Sequence, residues 1–452
     1  MDTKPLVVGV PWNPSEPLWK RVNMSYAFTH ANLVDGTEGM ICQPDCTVLV
    51  DGDRIVSIQD GATPAPDGYE VIDLSGRYLM PGLINLHSHQ FGIGKPAKSL
   101  SSGLSQNILV GYTKTAAGRN YLDQTAEHAL HQMLMSGVTT VRGAGDLTYS
   151  DVRTRDKIKS GTIDGPRFIC SGPAMTTAHG HGAGTFATID NAPSDFALEV
   201  ADRIAHGVDF IKICITSGVM DSTVKGEAGI MRMSADQVAS VIRAAHAAGF
   251  KVASHTLSTE GVQMCAEQGV DTIEHGSGFD ETTAEMLKAN GSAIVSTISV
   301  ALPLAYLATK TSKMTPIGQY NANLVLDRLV QGVQDARAYG VTLGLGTDAA
   351  CPFMLHYDTW RELYNHVKYA GATPAQIINT ATLSNARIIG LGDETGSIEA
   401  GKCADMIVVE KNPLEHISTL RNVKMVMARG KLFADPQVEH LEKLDEVLDT
   451  LL

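Results

Sequence analysis

One pattern dominates the chain between Leu83 and about Gly390. A short apolar run is followed by a helical stretch, and this happens eight times. The runs are LINLH (83–87), VTTVRG (138–143), RFIC (167–170), DFIKICI (209–215), KVASH (251–255), DTIEH (271–275), AIVST (293–297) and VTLGLGTD (341–348). Between them lie segments such as SADQVASVIRAAHAAG, where Ser234 suits an N-cap and Gly249 a stop. Eight strand–helix units predict a closed parallel barrel more readily than an open sheet. The expected class is therefore α/β, a (β/α)8 TIM barrel over residues 79–394.

The flanking segments read differently. CTVLVDGDRIVSI carries a hairpin signal at Asp51-Gly52, and YEVIDLSGRYL turns at Ser75-Gly76. Strand character returns in ADMIVVEKNP and VKMVMARGKLF. One discontinuous β-sandwich domain is expected from residues 1–78 plus 395–452, with an N-terminal extension and a C-terminal helix. That helix is expected over 438–452, where Val438, Leu441, Leu444, Val447, Leu448 and Leu451 fall at helical spacing. It would dock on the body or on a partner subunit.

Composition narrows the function classes. The chain has 452 residues, 44% of them apolar and 19% charged, as in an ordinary globular protein. A net charge of −13 argues against nucleic acid or an anionic membrane as partner. No apolar run is long enough for a bilayer, and the N-terminus lacks a signal-peptide core, so a cytoplasmic location is expected. The seven cysteines are scattered, which suits free thiols in a reducing compartment.

In a barrel, catalytic groups sit at the C-terminal ends of strands. The first run ends in His87, with His89 just beyond. Residues two apart on a strand face one side, so the two imidazoles could converge on one ion. The fifth run ends in His255 and the sixth in His275. Four imidazoles at strand ends suit zinc or a similar ion. The eighth run ends in Asp348, a ligand and proton acceptor or else an N-cap. The fourth run buries Lys212 in an apolar strand. Its side chain could snorkel to the strand end. Alternatively, a neutral amine could take up carbon dioxide and become an anionic carbamate able to bridge two cations.

The stretches LVDGT, PGLINLHSH, GVTTVRGAGD, GVDFIKI, VASHT, GVDTIEHG, GTDA and GSIEAGKCADMIVV together resemble the amidohydrolase superfamily. The likeness is to its binuclear branch of prolidase-like carboxypeptidases and N-acyl amino acid hydrolases. It extends from about residue 26 to 435. The resemblance implies a barrel with a flanking β-sandwich from both termini. It implies two divalent ions, zinc foremost, although the ligand set also accepts cobalt or manganese. His87, His89 and Asp348 would bind the first ion, and His255 and His275 the second. Lys212, N6-carboxylated, would bridge them together with a hydroxide. The implied reaction is hydrolysis of an amide or peptide bond, of dipeptide or N-acyl amino acid type. The bridging hydroxide attacks, and Asp348 serves as base and then acid. The charge of two ions exceeds that of carbamate, Asp348 and hydroxide, which favours a small substrate bearing a carboxylate or a developing oxyanion. A homo-oligomer is also expected.

Further residues are candidates for substrate binding. TAHGHGAG (177–184) is a glycine-rich loop at the same face. Similar proteins carry Gly-Gly-His-Gly there, with a His that contacts substrate. His181 matches that His, and His179 stands where the first Gly would be. Arg142 could meet a substrate carboxylate or pair with Asp146, and His356 could line the pocket. Where similar proteins have a carboxylate-binding Tyr, this chain has Met233, beside Arg232. Two alternatives stand beside the leading one. One is a cyclic amide hydrolase or deaminase of the same superfamily, imidazolonepropionase-like, which would lack the bridging lysine. The other is a non-catalytic scaffold.

Overall fold

The structure, a computed structural model, describes residues 24–96 and 104–452. The expected N-terminal extension lies outside these residues. Five strands open the chain: β1 (Ser25–Leu33), β2 (Gln43–Asp51), β3 (Arg54–Asp60), β4 (Glu70–Asp73) and β5 (Tyr78–Pro81). Ten follow in the middle: β6 (Leu83–Ser88), β7 (Val138–Gly143), β8 (Arg167–Cys170), β9 (Ala174–Thr176), β10 (Ala187–Ile189), β11 (Ile211–Cys214), β12 (Val252–Thr256), β13 (Thr272–His275), β14 (Ala293–Ser296) and β15 (Thr342–Leu345). Three close it: β16 (Met406–Val409), β17 (Met425–Ala428) and β18 (Lys431–Phe433).

Strands from both ends share one eight-stranded mixed sheet, ordered β18-β17-β16-β5-β1-β2-β3, with β4 also paired to β1. The β2–β3 hairpin turns at Gly52, whose φ of 58° costs glycine little, and Asp51 pairs with Arg54 across it. The C-terminal strands enter beside β5, where Met406 pairs with Pro81. Phe28, Val48, Val50, Leu79, Met406 and Val408 form this sheet's own apolar core.

The middle strands form two parallel sheets, β6-β7-β8 and β10-β9-β11-β12-β13-β14-β15. Their side chains, including Val141, Ile213, Ile273, Ile294 and Leu345, share a core with helix residues Leu130, Val241 and Leu287. The helix Ala235–Ala247 has the expected ends: Ser234 accepts from Gln237 N, and Gly249 follows at φ 81°. Backbone bonds cross both gaps between the sheets. Thr347 N and Asp348 N donate to His87 O at 3.0 and 2.8 Å, and His89 N to Ala349 O at 2.9 Å. On the other side, β8 and β9 are separated by Gly172, at φ 63°, and Pro173, which has no N–H to donate. Asp209 N, at the entry to β11, donates across this gap to Cys170 O of β8 at 2.8 Å.

The C-terminal helix spans Glu442–Asp449, shorter than expected, and Leu441 N just before it donates to Tyr357 Oη at 2.7 Å. It docks on the chain's own body. Leu448 joins a cluster with Leu302, Leu326 and Phe353, and Asp449 meets Arg361 at 2.7 Å and Arg421 at 2.9 Å. The seven cysteines are free. Among the described residues, no helix is long and apolar enough to cross a membrane.

Candidate metal centre

The strand ends of β6, β11, β12 and β13 and the segment after β15 converge on one cavity. It is lined by His87, His89, Lys212, His255, His275 and Asp348, with Ala144, His181, Phe186 and Cys214 completing the wall. The backbone works to aim them. His275 and Asp348 adopt φ of 68° and 59°, a region that costs a non-glycine residue of order 1–3 kcal/mol and persists where function requires it.

Hydrogen bonds determine which ring nitrogens face the cavity. His87 Nδ1 lies 2.7 Å from Glu274 Oε2, and His89 Nδ1 lies 2.9 Å from Gly145 O. A carboxylate and a carbonyl can only accept, so both Nδ1 atoms carry protons. The two Nε2 atoms then turn toward Asp348 Oδ1, at 3.4 and 3.1 Å. Ligand atoms of His87, His89 and Asp348 lie within 4.8 Å of one another. Three acceptors directed at one point form an arrangement that a cation completes.

The other half of the cavity is equally incomplete by itself. His255 Nε2, Lys212 Nζ and Asp348 Oδ1 are buried and have no hydrogen-bond partner among the described residues. His275 Nδ1 pairs with Thr297 Oγ1 at 2.7 Å. Burial, reinforced by neighbouring imidazoles, holds His255 and His275 well below the usual histidine range, which favours neutral rings. Burial also lowers the Lys212 amine, against the pull of Glu274. Orphaned buried polar atoms are rare in proteins. Their coincidence at one point fits residues built to hold divalent ions.

Two expected substrate contacts belong elsewhere. Arg142 faces away from the cavity and does not pair with Asp146. Its Nε donates to Leu86 O at 2.7 Å, Nη1 to Thr272 Oγ1 at 3.0 Å and Nη2 to Glu274 Oε1 at 2.6 Å. Every guanidinium nitrogen is used, and the side chain is 5% exposed. Asp146 instead accepts from Ser150 Oγ and Asp151 N. His356 is absent from the wall; its buried Nε2–H donates to His89 O at 2.8 Å, and burial pushes its pKa down to about 4. Of the three, His181 alone lines the cavity, stacked on His255 with ring centroids 4.1 Å apart. Met233 is buried, and Arg232 pairs with Glu227 at 2.9 Å.

Sequence reasoning missed Glu274. Its carboxylate, fully buried, accepts from His87, Arg142 and Thr272 together. Burial pushes the group up, but Arg142 and His87 outweigh it and hold it far below the usual range. A signal was present: an acid inside the apolar run DTIEH demands a partner as Lys212 does.

Residues 78–433 match the amidohydrolase family. Ochratoxinase from Aspergillus niger is 26% identical over 421 residues, covering 86% of this chain and 83% of that protein. An imidazolonepropionase from Mesorhizobium japonicum is 24% identical over 406 residues, covering 84% and 89%. Among solved structures, a Bifidobacterium longum protein described as a prolidase superposes with a TM-score of 0.83 at 34% identity, covering 95% of this chain and 99% of that one. A Xaa-Pro dipeptidase with methionine bound in its active site gives 0.79 at 29%, covering 91% and 100%. The cavity at the strand ends is therefore that of a family built for hydrolysis, and the chain belongs to the amidohydrolase family.

Proposed function

We propose that this protein hydrolyses the amide or peptide bond of a small substrate bearing a carboxylate, of dipeptide or N-acyl amino acid type. The observation that carries the reading is the partnerless Lys212 Nζ, buried among the imidazoles and Asp348. We read the two parallel sheets as one (β/α)8 barrel with the cavity at its mouth, supported by the backbone bonds across both gaps. His87, His89 and Asp348 would hold one divalent ion and His255 and His275 a second, with zinc foremost. Lys212 lines the same cavity. Its neutral amine would add to carbon dioxide, forming an N–C bond and losing a proton, and so become a bridging carbamate. Bound ions would supply Lewis acidity, polarising the scissile carbonyl and bringing a water's pKa near neutrality.

The chain's own residues do the rest. Asp348 accepts the proton of the attacking water and returns it to the leaving nitrogen. Glu274 and Gly145 O keep the Nδ1 protons of His87 and His89 in place, so that both Nε2 lone pairs face the ions. Arg142 holds Glu274 ionised. Phe186 packs on His89 with ring centroids 5.2 Å apart and shields that side from water. The test is a hydrolysis screen of dipeptides, N-acyl amino acids and lactams with metal-loaded protein, alongside metal counting. Cleavage of lactams alone overturns the linear-amide reading, and one tightly bound ion per chain overturns the two-ion reading.

A further inference from the structure

The cavity-lining His181 contacts an acid that none of the steps above uses. His181 Nδ1 lies 2.5 Å from Asp221 Oδ2, 40 residues further along the chain. Gly218 N donates to the same oxygen at 3.0 Å. The acid sits on the segment that follows β11, and the histidine on the loop that follows β9. One contact thus ties together the two loops that overhang the cavity.

The imidazole is clamped on its remaining sides. One face stacks on His255 at 4.1 Å and 19°, and an edge meets Phe186 at 5.3 Å and 72°. Two glycines make room for this. A Cβ on Gly218 would come 2.3 Å from His181 Nδ1, and a Cβ on Gly182 would come 2.4 Å from the Phe186 ring. The pair lies at the rim rather than in the core, since the two side chains are 18% and 31% exposed. A carboxylate can only accept, so Nδ1 carries the proton and Nε2 is the ring's remaining polar atom.

We propose that Asp221 is a positioning residue. It pins His181 over the metal pocket with Nε2 presented to the scissile group, and it joins the 177–184 and 217–222 loops into one substrate-contacting unit. Its catalytic consequence rests on the amide-hydrolase reading; its geometric content does not. A ring fixed by its neighbours loses little freedom when substrate binds, which is how such supports act.

The experiment has two readouts. The first is ring-nitrogen NMR of histidine-labelled, metal-loaded protein. His181 is expected in the Nδ1-protonated state in the wild type, to lose it in Asp221→Ala, and to keep it in Asp221→Asn, which retains an acceptor oxygen. A His181 signal indifferent to Asp221→Ala overturns the proposal, whatever the enzyme hydrolyses. The second is kinetic, on the best substrate of the screen. Asp221→Ala is expected to lower kcat/KM about 10- to 100-fold, the usual size for an outer partner of an active-site imidazole. Metal content and unfolding midpoint should stay unchanged, and Asp221→Asn should recover part of the loss. In a His181→Ala background, Asp221→Ala should cost nothing more. Equal cost in both backgrounds overturns the proposal. A wild type that cleaves no amide but shows the expected NMR pattern removes the hydrolase reading and leaves the positioning role standing.

Discussion

Glu274→Gln tests the orientation of His87 directly. The wild-type carboxylate receives three donors: His87 Nδ1 at 2.7 Å, Arg142 Nη2 at 2.6 Å and Thr272 Oγ1 at 2.7 Å. Glutamine has the same shape but one acceptor oxygen and one NH2 group. If the NH2 faces His87, the imidazole must shift its proton to Nε2, and its lone pair toward the ion is lost. If the NH2 faces Arg142, donor meets donor in a site that water does not reach. The first choice costs the ion a ligand lone pair; the second leaves a buried donor unsatisfied, at about 1–3 kcal/mol. The charge opposite Arg142 is also gone; outright removal of a buried partner costs about 3–5 kcal/mol, an upper bound for an amide that keeps its dipole. The expected result is metal affinity about 10- to 100-fold weaker, or about 1.4–2.7 kcal/mol, with a lower unfolding midpoint. Competition against a chromophoric chelator measures the first and denaturant titration the second. Affinity within a factor of two of wild type would refute the argument that Glu274 sets the His87 tautomer.

Three other outcomes follow from the same geometry. Lys212→Ala is expected to lose the metal pair and nearly all activity; two ions retained per chain would rule out the bridging carbamate. Gly346→Ala would place a Cβ 2.3 Å from His87 Cβ and 2.6 Å from His87 N, atoms that cannot swing aside, so a loss of at least about 1–3 kcal/mol is expected together with weakened metal binding. A stability equal to wild type would mean that β6 yields there. Burial raises Asp146, and burial with the adjacent Asp146 charge raises Asp151 well above the usual range. A carboxyl raised on folding contributes stability that is fully present below its unfolded pKa of about 4 and is lost as pH rises through the folded value. Above pH of about 4 this pair's contribution should therefore fall with rising pH, so the wild-type unfolding midpoint should drop relative to that of Asp146→Asn over that range.

The fold was legible where burial on both faces leaves a continuous apolar run. The run KVASH falls on β12, at Val252–Thr256, and DTIEH on β13, at Thr272–His275, each within a residue or so. What escaped were β9 and β10, three residues each, set inside a loop rich in glycine and threonine. Runs that short carry no periodicity to read. The break between β8 and β9 was legible only as Gly172-Pro173, a turn signal that the structure uses as an interruption in a line of strands. The terminal strands were legible as β, and their joining was expected from their places on either side of the middle segment, but not which strands meet: pairing of β16 with β5 spans more than three hundred residues and leaves no local trace.

The site divides along the same line. Strand-end histidines stand out because their position is encoded locally, in alternation and in the residues around them. Arg142 also closes a strand, and position alone suggests the mouth of the cavity. Its true direction is set by Glu274, 132 residues away. The two are best read together with Lys212, as three charged side chains within the apolar runs of β7, β11 and β13. Burying a charge demands a partner or its neutralisation. Arg142 and Glu274 satisfy one another, and Glu274 has its second oxygen on His87. Lys212 shares in neither pairing: its nitrogen has no hydrogen-bond partner among the described residues, and burial lowers its amine. Lys212 is thus the group whose presence the pairing of the other two does not explain, and a buried amine that no carboxylate hydrogen-bonds is one free to react with carbon dioxide.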